Sequence, residues 1–238
     1  MQDEQIWDFS DYEKELIRSI VVKGRNEQDK NDKFAIIDLE SFYRLFTEEE
    51  VELMQRWLAM DPKDFGYKLP YLGAADTVEN IVPIAHQRII TEDKQREIPC
   101  QYLPRHVFDA YSDLNQAMHD GVGKTLLVNF GYRSPARQIF IFFDILERVY
   151  DFDFNKTLSR VCFPDYSEHV CSQRQAIDFI ATDGLASEQF ETSEEYRWLT
   201  RNAERFGFYE SYPKDNQLGM MYEPWHWHYE ATNEHQRG

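Results

Sequence analysis

Cysteine is scarce in this 238-residue chain, and basic residues are outnumbered by acidic ones. Cys100, Cys162 and Cys171 are too few, and odd in number, for a disulfide framework, and no two of them have the spacing of a zinc ribbon. The chain has 26 Lys and Arg against 43 Asp and Glu, which gives a formal net charge of -17. Because this charge repels polyanions at long range, it argues against nucleic acid or an anionic lipid surface as a partner.

Long apolar runs are also missing. The opening "MQDEQIWDFSDYEKELIRSIVV" carries acids where a signal peptide carries bases, and its longest apolar run is too short for a membrane span. We therefore expect no transmembrane segment. The sequence favours either a cytoplasmic protein or the mature form of an exported one, without its leader.

The chain nevertheless has the apolar content of a globular protein. Hydrophobic residues make up 42% and aromatic residues 15%, enough to bury the core of one large domain, or of a domain with a smaller N-terminal piece. Periodicity predicts helices at residues 11–21, 47–60, 103–120, 134–150 and 192–207. The predicted strands are "NIVPIA", "RIIT", "KTLLVNFG", "QAIDFIAT", "GFYESYP" and "YEPWHWHYE". Because these elements show neither βαβ regularity nor an internal repeat, the sequence predicts an α+β fold.

Local signals mark the start of several predicted helices. Thr47 and Glu50 have the spacing of a capping box. Ser134 followed by Pro135 is typical of an N-cap and the first helical position. Thr192 is predicted to cap the last helix.

Two segments carry residues that can bind a metal. "SEHVCSQRQAIDF" contains His169 and Asp178, and "EPWHWHY" contains Glu223 and His226. Residues three apart in a strand face opposite ways, so Glu223 and His226 converge only if Pro224 bends the chain or a bulge intervenes. The residue types alone leave a second interpretation open, in which these histidines are packed, hydrogen-bonded core residues.

Five motifs in order resemble a known family. They are "YLPRHVFDAYSDLNQAM", "GYRSPARQ", "SEH" with "AIDF", "EEYRWLTRNAERFGFYESYP" and "YEPWHWHY", within about residues 101–230. In order and spacing they are similar to the VanY-type zinc D-alanyl-D-alanine carboxypeptidases, a group that also holds lysostaphin-like endopeptidases and the sonic hedgehog fold. The resemblance implies a small antiparallel sheet flanked by helices.

The resemblance also implies a role for particular residues. His169, Asp178 and His226 correspond to the zinc ligands, and Glu223 to the general base that acts on metal-bound water. The resemblance implies that Arg133 binds the acyl oxygen or the terminal carboxylate of the substrate and helps to polarise the scissile carbonyl, with Gln138 lining the same pocket. Ser167 either contacts the peptide, as in relatives, or only caps a loop. Trp225 is expected to pack behind the metal site, and Tyr222 and Trp227 to be core residues. His228 has either a role behind the ligands or a surface position.

The chain departs from the family pattern in the loop between the first two ligands. Relatives place the aspartate seven residues after the histidine, whereas Asp178 follows His169 by nine, and Arg174 stands where the family has glycine. A longer loop costs only about 0.6 kcal/mol per doubling of its length. Since seven and nine are both odd, strand parity is unchanged, and we expect the metal site to be retained.

The first hundred residues lie outside the resemblance. The charged stretch "KGRNEQDKNDK" is predicted to be a mobile connector. We expect residues 1–100 to form a helical and irregular extension packed on the core, and residues 101–238 to form the catalytic domain.

The expected function follows from the resemblance. It is zinc-dependent removal of a C-terminal residue, D-alanine, from the stem peptides of peptidoglycan. The alternatives are an L,D-carboxypeptidase, a dipeptidase or an endopeptidase with the same site, and a metal-free protein that only binds peptide or cell wall. Because murein lies outside the cytoplasmic membrane, this substrate favours a location in the periplasm or cell envelope. The family also contains cytosolic dipeptidases, so the cytoplasm is the alternative location.

Overall fold

A computed structural model describes residues 8–73, 80–91 and 94–231, and it combines helices with small antiparallel sheets, which confirms the predicted α+β class. The α-helices are α1 (Asp11–Gln28), α2 (Leu39–Tyr43), α3 (Glu48–Leu58), α4 (Arg105–Val122), α5 (Pro135–Arg148), α6 (Phe154–Leu158) and α7 (Glu194–Asn202). The strands are β1 (Ile81–Ile84), β2 (Arg88–Ile90), β3 (Gln95–Glu97), β4 (Gln101–Pro104), β5 (Leu126–Phe130), β6 (Ala176–Ala181), β7 (Phe208–Glu210) and β8 (His226–Tyr229). Among the described helices, none has the length and apolar character needed to cross a bilayer.

The main sheet has four strands in the order β5, β6, β8, β7, and each neighbouring pair is antiparallel. The central strands β6 and β8 are buried along their whole length. Burial on both faces explains why "AIDFIA" reads as a nearly continuous apolar run rather than as an alternating one. Two smaller sheets each contain one antiparallel pair, β1 with β4 and β2 with β3.

The described chain forms two compact units. The first takes its residues from Met1–Thr77, Arg133–Val170 and Gln217–Met221. Its core is built by α1, α3 and α5 and is rich in aromatic rings. Within it, the ring of Trp57 stacks on that of Phe163 at 4.7 Å. Such ring pairs contribute about 0.5–1.5 kcal/mol beyond the area that they bury.

The second unit takes its residues from Val78–Tyr132, Cys171–Asn216 and Tyr222–Gly238. It contains the four-stranded sheet, and α4 and α7 contribute Leu114 and Leu199 to the apolar cluster on one face of that sheet. The opposite face carries Asp178, His226 and His228, and further along the same face Ile180 packs against Ile89 and Ile98 in a smaller apolar cluster. The predicted extent of the catalytic domain, residues 101–238, stays a prediction.

The helix starts agree with the sequence in two of three cases. Thr47 forms the predicted capping box with Glu50, and Ser134 caps α5 by accepting from the backbone N–H of Arg137. The prediction for α7 is wrong by one residue, because Ser193 rather than Thr192 is the N-cap and accepts from the N–H of Tyr196. Adjacent Thr and Ser are both good caps, so propensity alone does not choose between them.

The charged connector predicted at residues 23–33 is also partly wrong. α1 continues to Gln28, so about half of the stretch is helical. Two of its side chains reach other helices: Lys23 pairs with the buried Glu50 at 2.7 Å, and Arg25 makes a bidentate pair with Asp144. These tertiary ion pairs explain why a highly charged segment stays helical.

The close approach of α1 and α5 at Gly24 gives a test of the first core. A Cβ at this position would lie 2.2 Å from Cε2 of Phe140, a ring that is 2% exposed. Alanine favours a helix over glycine by about 1 kcal/mol, but overpacking a core costs about 1–3 kcal/mol. A Cβ contact of 2.2 Å puts the overpacking cost at the upper end of this range, so after the helix gain is subtracted we expect Gly24→Ala to lower the free energy of unfolding in urea by about 1–2 kcal/mol.

Gly121 in α4 is the matched control, since its added Cβ would meet only Nε1 of Trp198, at 3.4 Å. We expect Gly121→Ala to be neutral or to stabilise the protein by up to about 1 kcal/mol. Equal effects of the two substitutions would contradict the tight contact between α1 and Phe140.

Candidate active site

The pairing of β6 with β8 sets Asp178 directly opposite His226. Directly opposed residues of an antiparallel pair project from the same face of the sheet, with Cβ atoms about 4.5–5.5 Å apart. Nδ1 of His226 lies 2.8 Å from Oδ1 of Asp178, and each of the two residues is 5% exposed. The strand register therefore brings a carboxylate and an imidazole together in a buried setting.

A tight turn delivers Glu223 to the same imidazole. The backbone N–H of His226 donates to the carbonyl of Glu223 at 3.0 Å, so the chain turns through Pro224 before β8 begins. Oε2 of Glu223 consequently lies 3.7 Å from Nδ1 of His226. The turn is held in place because the indole N–H of Trp227 donates to the carbonyl of Pro224 at 2.9 Å. This turn supplies the bend that the sequence required at Pro224.

His169 lies in a turn ahead of β6. The turn is followed by a 3-10 helix at Ser172–Arg174, and β6 begins only at Ala176. The strand parity expected between His169 and Asp178 does not apply, because the histidine does not belong to the strand. The two additional residues are accommodated in a segment of turn and 3-10 helix.

The structure brings together the three residues predicted as ligands. His169, Asp178 and His226 are all buried, and one potential ligand atom from each lies within 4.8 Å of the others. Two imidazoles and a carboxylate are donors that zinc accepts in a catalytic site. A buried carboxylate also needs a nearby positive charge, and a divalent ion provides it. The donor set thus fits zinc, and the assignment of these residues as ligands stays a prediction.

Arg133 and Gln138 form a second polar cluster, within the first unit. Nη1 of Arg133 donates to Oε1 of Gln138 at 3.3 Å, and Nε2 of Gln138 donates to the carbonyl of Cys162 at 2.9 Å. The backbone N–H of Arg133 also donates to the carbonyl of His169 at 2.9 Å. Gln138 is 1% exposed, so it can orient the guanidinium. Ser167 is 3% exposed and lies in the turn that contains His169, where its carbonyl accepts from Val170.

The aromatic and histidine neighbours of the site are mostly buried. A surface position for His228 is wrong, because the residue is 5% exposed and its Nδ1 lies 2.7 Å from Oγ of Ser211. Trp225 and Trp227 are 7% and 4% exposed and belong to the apolar cluster of the second unit. The predicted core position of Trp227 is confirmed.

Tyr222 is not a simple core residue. It is half-buried, and its hydroxyl donates to Glu191 and contacts the hydroxyl of Tyr196, which in turn donates to Glu210. Burial raises the pKa of Glu210 and of Tyr222. This network ties the residue before Glu223 to α7 and β7.

Tyr212 is a supporting residue of the site that the sequence does not predict. Its ring stacks on the imidazole of His226 at 4.8 Å, and its carbonyl accepts from the N–H of Glu223 at 3.0 Å. Tyr212 is 2% exposed. Tyr212 therefore supports both His226, a predicted ligand, and Glu223, the predicted general base. Its place in the motif "GFYESYP" was the available signal, but only tertiary contacts distinguish it from the other tyrosines.

Comparison with known proteins finds two curated relatives, each of which matches only part of this chain. "Putative carboxypeptidase YodJ" of Bacillus subtilis (strain 168) is 28% identical over 137 residues, which are 57% of this chain and 49% of the relative. A "D-alanyl-D-alanine carboxypeptidase" of Enterococcus faecalis (strain ATCC 700802 / V583) is 42% identical over 71 residues, 29% of this chain and 24% of that protein. The chain thus spans half or less of the length of these relatives.

A solved structure shares the fold. The LdcB LD-carboxypeptidase superposes with a TM-score of 0.55 at 24% identity, over 71% of this chain and 78% of that one. This likeness confirms the predicted small antiparallel sheet with helices. The model of the family "VanY: D-alanyl-D-alanine carboxypeptidase" matches residues 101–232, which is more than half of the chain. The chain therefore belongs to the VanY family of D-alanyl-D-alanine carboxypeptidases.

Proposed function

We propose that this protein is a zinc-dependent carboxypeptidase that removes the C-terminal residue, D-alanine, from stem peptides of peptidoglycan. The observation that carries the proposal is the convergence of His169, Asp178 and His226, with ligand atoms within 4.8 Å of one another, in a chain of the VanY family. Because peptidoglycan lies outside the cytoplasmic membrane, the proposal places the protein in the cell envelope.

The two imidazoles and the carboxylate of Asp178 are proposed to hold the zinc ion. When bound, the ion lowers the pKa of a water molecule and polarises the scissile carbonyl. Tyr212 keeps the ring plane of His226 fixed by stacking, and burial keeps bulk water from competing for the donors. Fixed donors lose little conformational entropy when the ion binds.

Glu223 is proposed to be the general base. Its carboxylate is 3.7 Å from Nδ1 of His226, so it lies beside the proposed ligands. It would take a proton from the attacking water and deliver that proton to the nitrogen of the leaving D-alanine. The bond from its N–H to the carbonyl of Tyr212 and the turn at Pro224 hold it in position.

Arg133 is proposed to bind the terminal carboxylate or the carbonyl oxygen of the substrate. A planar guanidinium suits an oxyanion because it can donate two parallel hydrogen bonds. Gln138 supports this role, since its side chain accepts from Arg133 and is itself anchored to the carbonyl of Cys162. Ser167, in the turn that contains His169, is proposed to contact the peptide.

Metal binding is the first test. We expect His226→Ala and Asp178→Ala to weaken zinc binding by at least about 100-fold, because each removes one of three protein donors. Calorimetric titration of the apo-protein with zinc measures the effect. His228→Gln is the matched control, since it changes an equally buried histidine two residues from His226, and it should keep the affinity within about tenfold. A wild-type protein that binds no zinc would leave only a non-catalytic, peptide-binding role.

Catalysis by Glu223 is the second test. We expect Glu223→Gln to bind zinc normally and to lose at least about 10³-fold in kcat, because the amide cannot accept the proton. Mass spectrometry of defined penta-, tetra- and tripeptide stems measures turnover and identifies the released residue. Glu210→Gln is the control, since it neutralises a half-buried carboxylate on β7, the strand beside β8, and its kcat should stay within about threefold of wild type.

The products of that assay also decide between the enzymatic alternatives. Free D-alanine from the pentapeptide supports the proposal. Release from the tetrapeptide alone indicates an L,D-carboxypeptidase, and cleavage of a free dipeptide or within a cross-link indicates a dipeptidase or an endopeptidase. Full activity of Glu223→Gln would show that another group is the base.

The role of Arg133 is the third test. Arg133→Lys keeps the charge but loses the planar pair of donors, so we expect kcat/KM to fall by about 10²-fold while zinc affinity is unchanged. Gln138→Leu keeps Arg133 but removes the side-chain oxygen that accepts a hydrogen bond from its guanidinium. We expect this change to lower kcat/KM by about tenfold. A Gln138→Leu protein with wild-type kinetics would mean that the contact with Arg133 is only structural.

A further inference from the structure

The pairing of β5 with β6 contains an irregularity next to the candidate site. Val128 is opposite Phe179 and Phe130 is opposite Asp178, so two steps along β5 correspond to one step along β6. This register shift is a β-bulge that contains Asn129. Bulges of this kind re-aim a side chain, and they are frequent beside active sites.

The bulge turns Phe130 away from the core. In a regular strand, Phe130 would point to the same face as Val128, which is fully buried in the apolar cluster with Phe179. Because of the shift it is paired with Asp178, which projects from the other face. The exposed fraction of Phe130 is accordingly 40%, whereas that of Val128 is 0%.

This pairing places an aromatic ring in line with the proposed ligands. Phe130 is opposite Asp178, and Asp178 is opposite His226, so the three residues form one row across β5, β6 and β8. Paired side chains on one face lie about 4.5–5.5 Å apart at Cβ. The side chain of Phe130 therefore lies on the same face as the buried carboxylate of Asp178, one strand away, and the buried imidazole of His226, two strands away. It is the partly exposed apolar member of this row.

The backbone on both sides of Phe130 is held tightly. Before it, the side-chain amide of Gln87 bonds both the N–H and the carbonyl of Val128, at 2.7 and 3.0 Å. After it, the N–H of Tyr132 donates to the carbonyl of Tyr102 at 2.7 Å. Glycine is needed at position 131, because a Cβ there would lie 2.3 Å from that same carbonyl oxygen. The fold thus fixes the backbone at Phe130 and the face of the sheet from which its side chain projects.

We infer that Phe130 is a specificity-determining residue that contacts the apolar side chain of a substrate residue at the scissile bond. The inference rests on the proposed function, because a peptide bond cleaved beside Asp178 and His226 must place its flanking side chains near this ring. A phenyl ring offers no hydrogen-bond donor, so it favours a methyl group over a polar one. Its bulk also leaves space for a small side chain rather than a branched one.

The test uses two series of peptides based on acetyl-L-Lys-D-Ala-D-Ala. One varies the C-terminal residue and the other the penultimate residue, each as Gly, D-Ala, D-Val or D-Leu. We expect the wild type to prefer D-Ala over Gly by about fourfold in kcat/KM, the value of one buried methyl group, in at least one series. In that series Phe130→Ala should reduce the preference to less than twofold and raise the relative rate for D-Leu at least about tenfold.

Two further variants control for poor folding of Phe130→Ala and for a general effect of losing an exposed apolar side chain. Phe130→Leu keeps an apolar side chain, so it should retain part of the preference and provides a second readout if Phe130→Ala folds poorly. Ile90→Ala removes another exposed apolar side chain of the same unit, 62% exposed on β2, and should leave every ratio unchanged. Unchanged ratios in both series for Phe130→Ala and Phe130→Leu would overturn the inference.

Binding without catalysis separates this inference from the proposed function. Zinc-loaded Glu223→Gln, with and without Phe130→Ala, is titrated with the same peptides by calorimetry. We expect the ratio of the Kd values for the Gly and D-Ala peptides to collapse toward one when Phe130 is removed. A wild-type protein that cleaves none of the peptides refutes the proposed activity, whereas Kd ratios that do not depend on residue 130 refute the role of Phe130.

Discussion

The antiparallel pairing of β6 with β8 is the constraint on which the candidate site depends. It sets Asp178 opposite His226 and leaves Nδ1 and Oδ1 only 2.8 Å apart in a buried setting. A slip of one residue in either strand would send one of these side chains into the apolar cluster on the opposite face. The burial of both strands specifies the register, because Ile177 and Trp227 must remain in that cluster.

The neighbouring elements build on this pair. The turn at Pro224 adds the carboxylate of Glu223, and Tyr212 supports the turn and the imidazole at once. The bulge in β5 adds Phe130 to the same row of the sheet. Glu223 and Phe130 are thus positioned by interruptions of regular structure, a turn and a bulge, rather than by a regular strand. Such interruptions cost stability locally, and the surrounding hydrogen bonds compensate for them.

Charge has a different distribution at the site and over the chain as a whole. The net charge of -17 is carried largely by exposed acids, where water screens it. Asp178 and Glu223 are instead 5% and 6% exposed, beside imidazoles. Buried carboxylates are costly unless a positive charge is nearby, which is why this cluster, and not the abundant surface acids, fits a divalent ion.

The sequence by itself determined the α+β class, most helix starts, the candidate ligands and the family, because periodicity, capping residues and ordered motifs are local signals. It missed the cap of α7 and the helical extent of the segment after Lys23, and the strand parity expected for His169 failed because that residue lies in a turn. Only the tertiary structure decided that Glu223 meets His226, that His228 is buried, and that Phe130 faces Asp178. Those outcomes depend on strand register, a bulge and a turn, and register is set by contacts between residues distant in the chain, which no local pattern encodes.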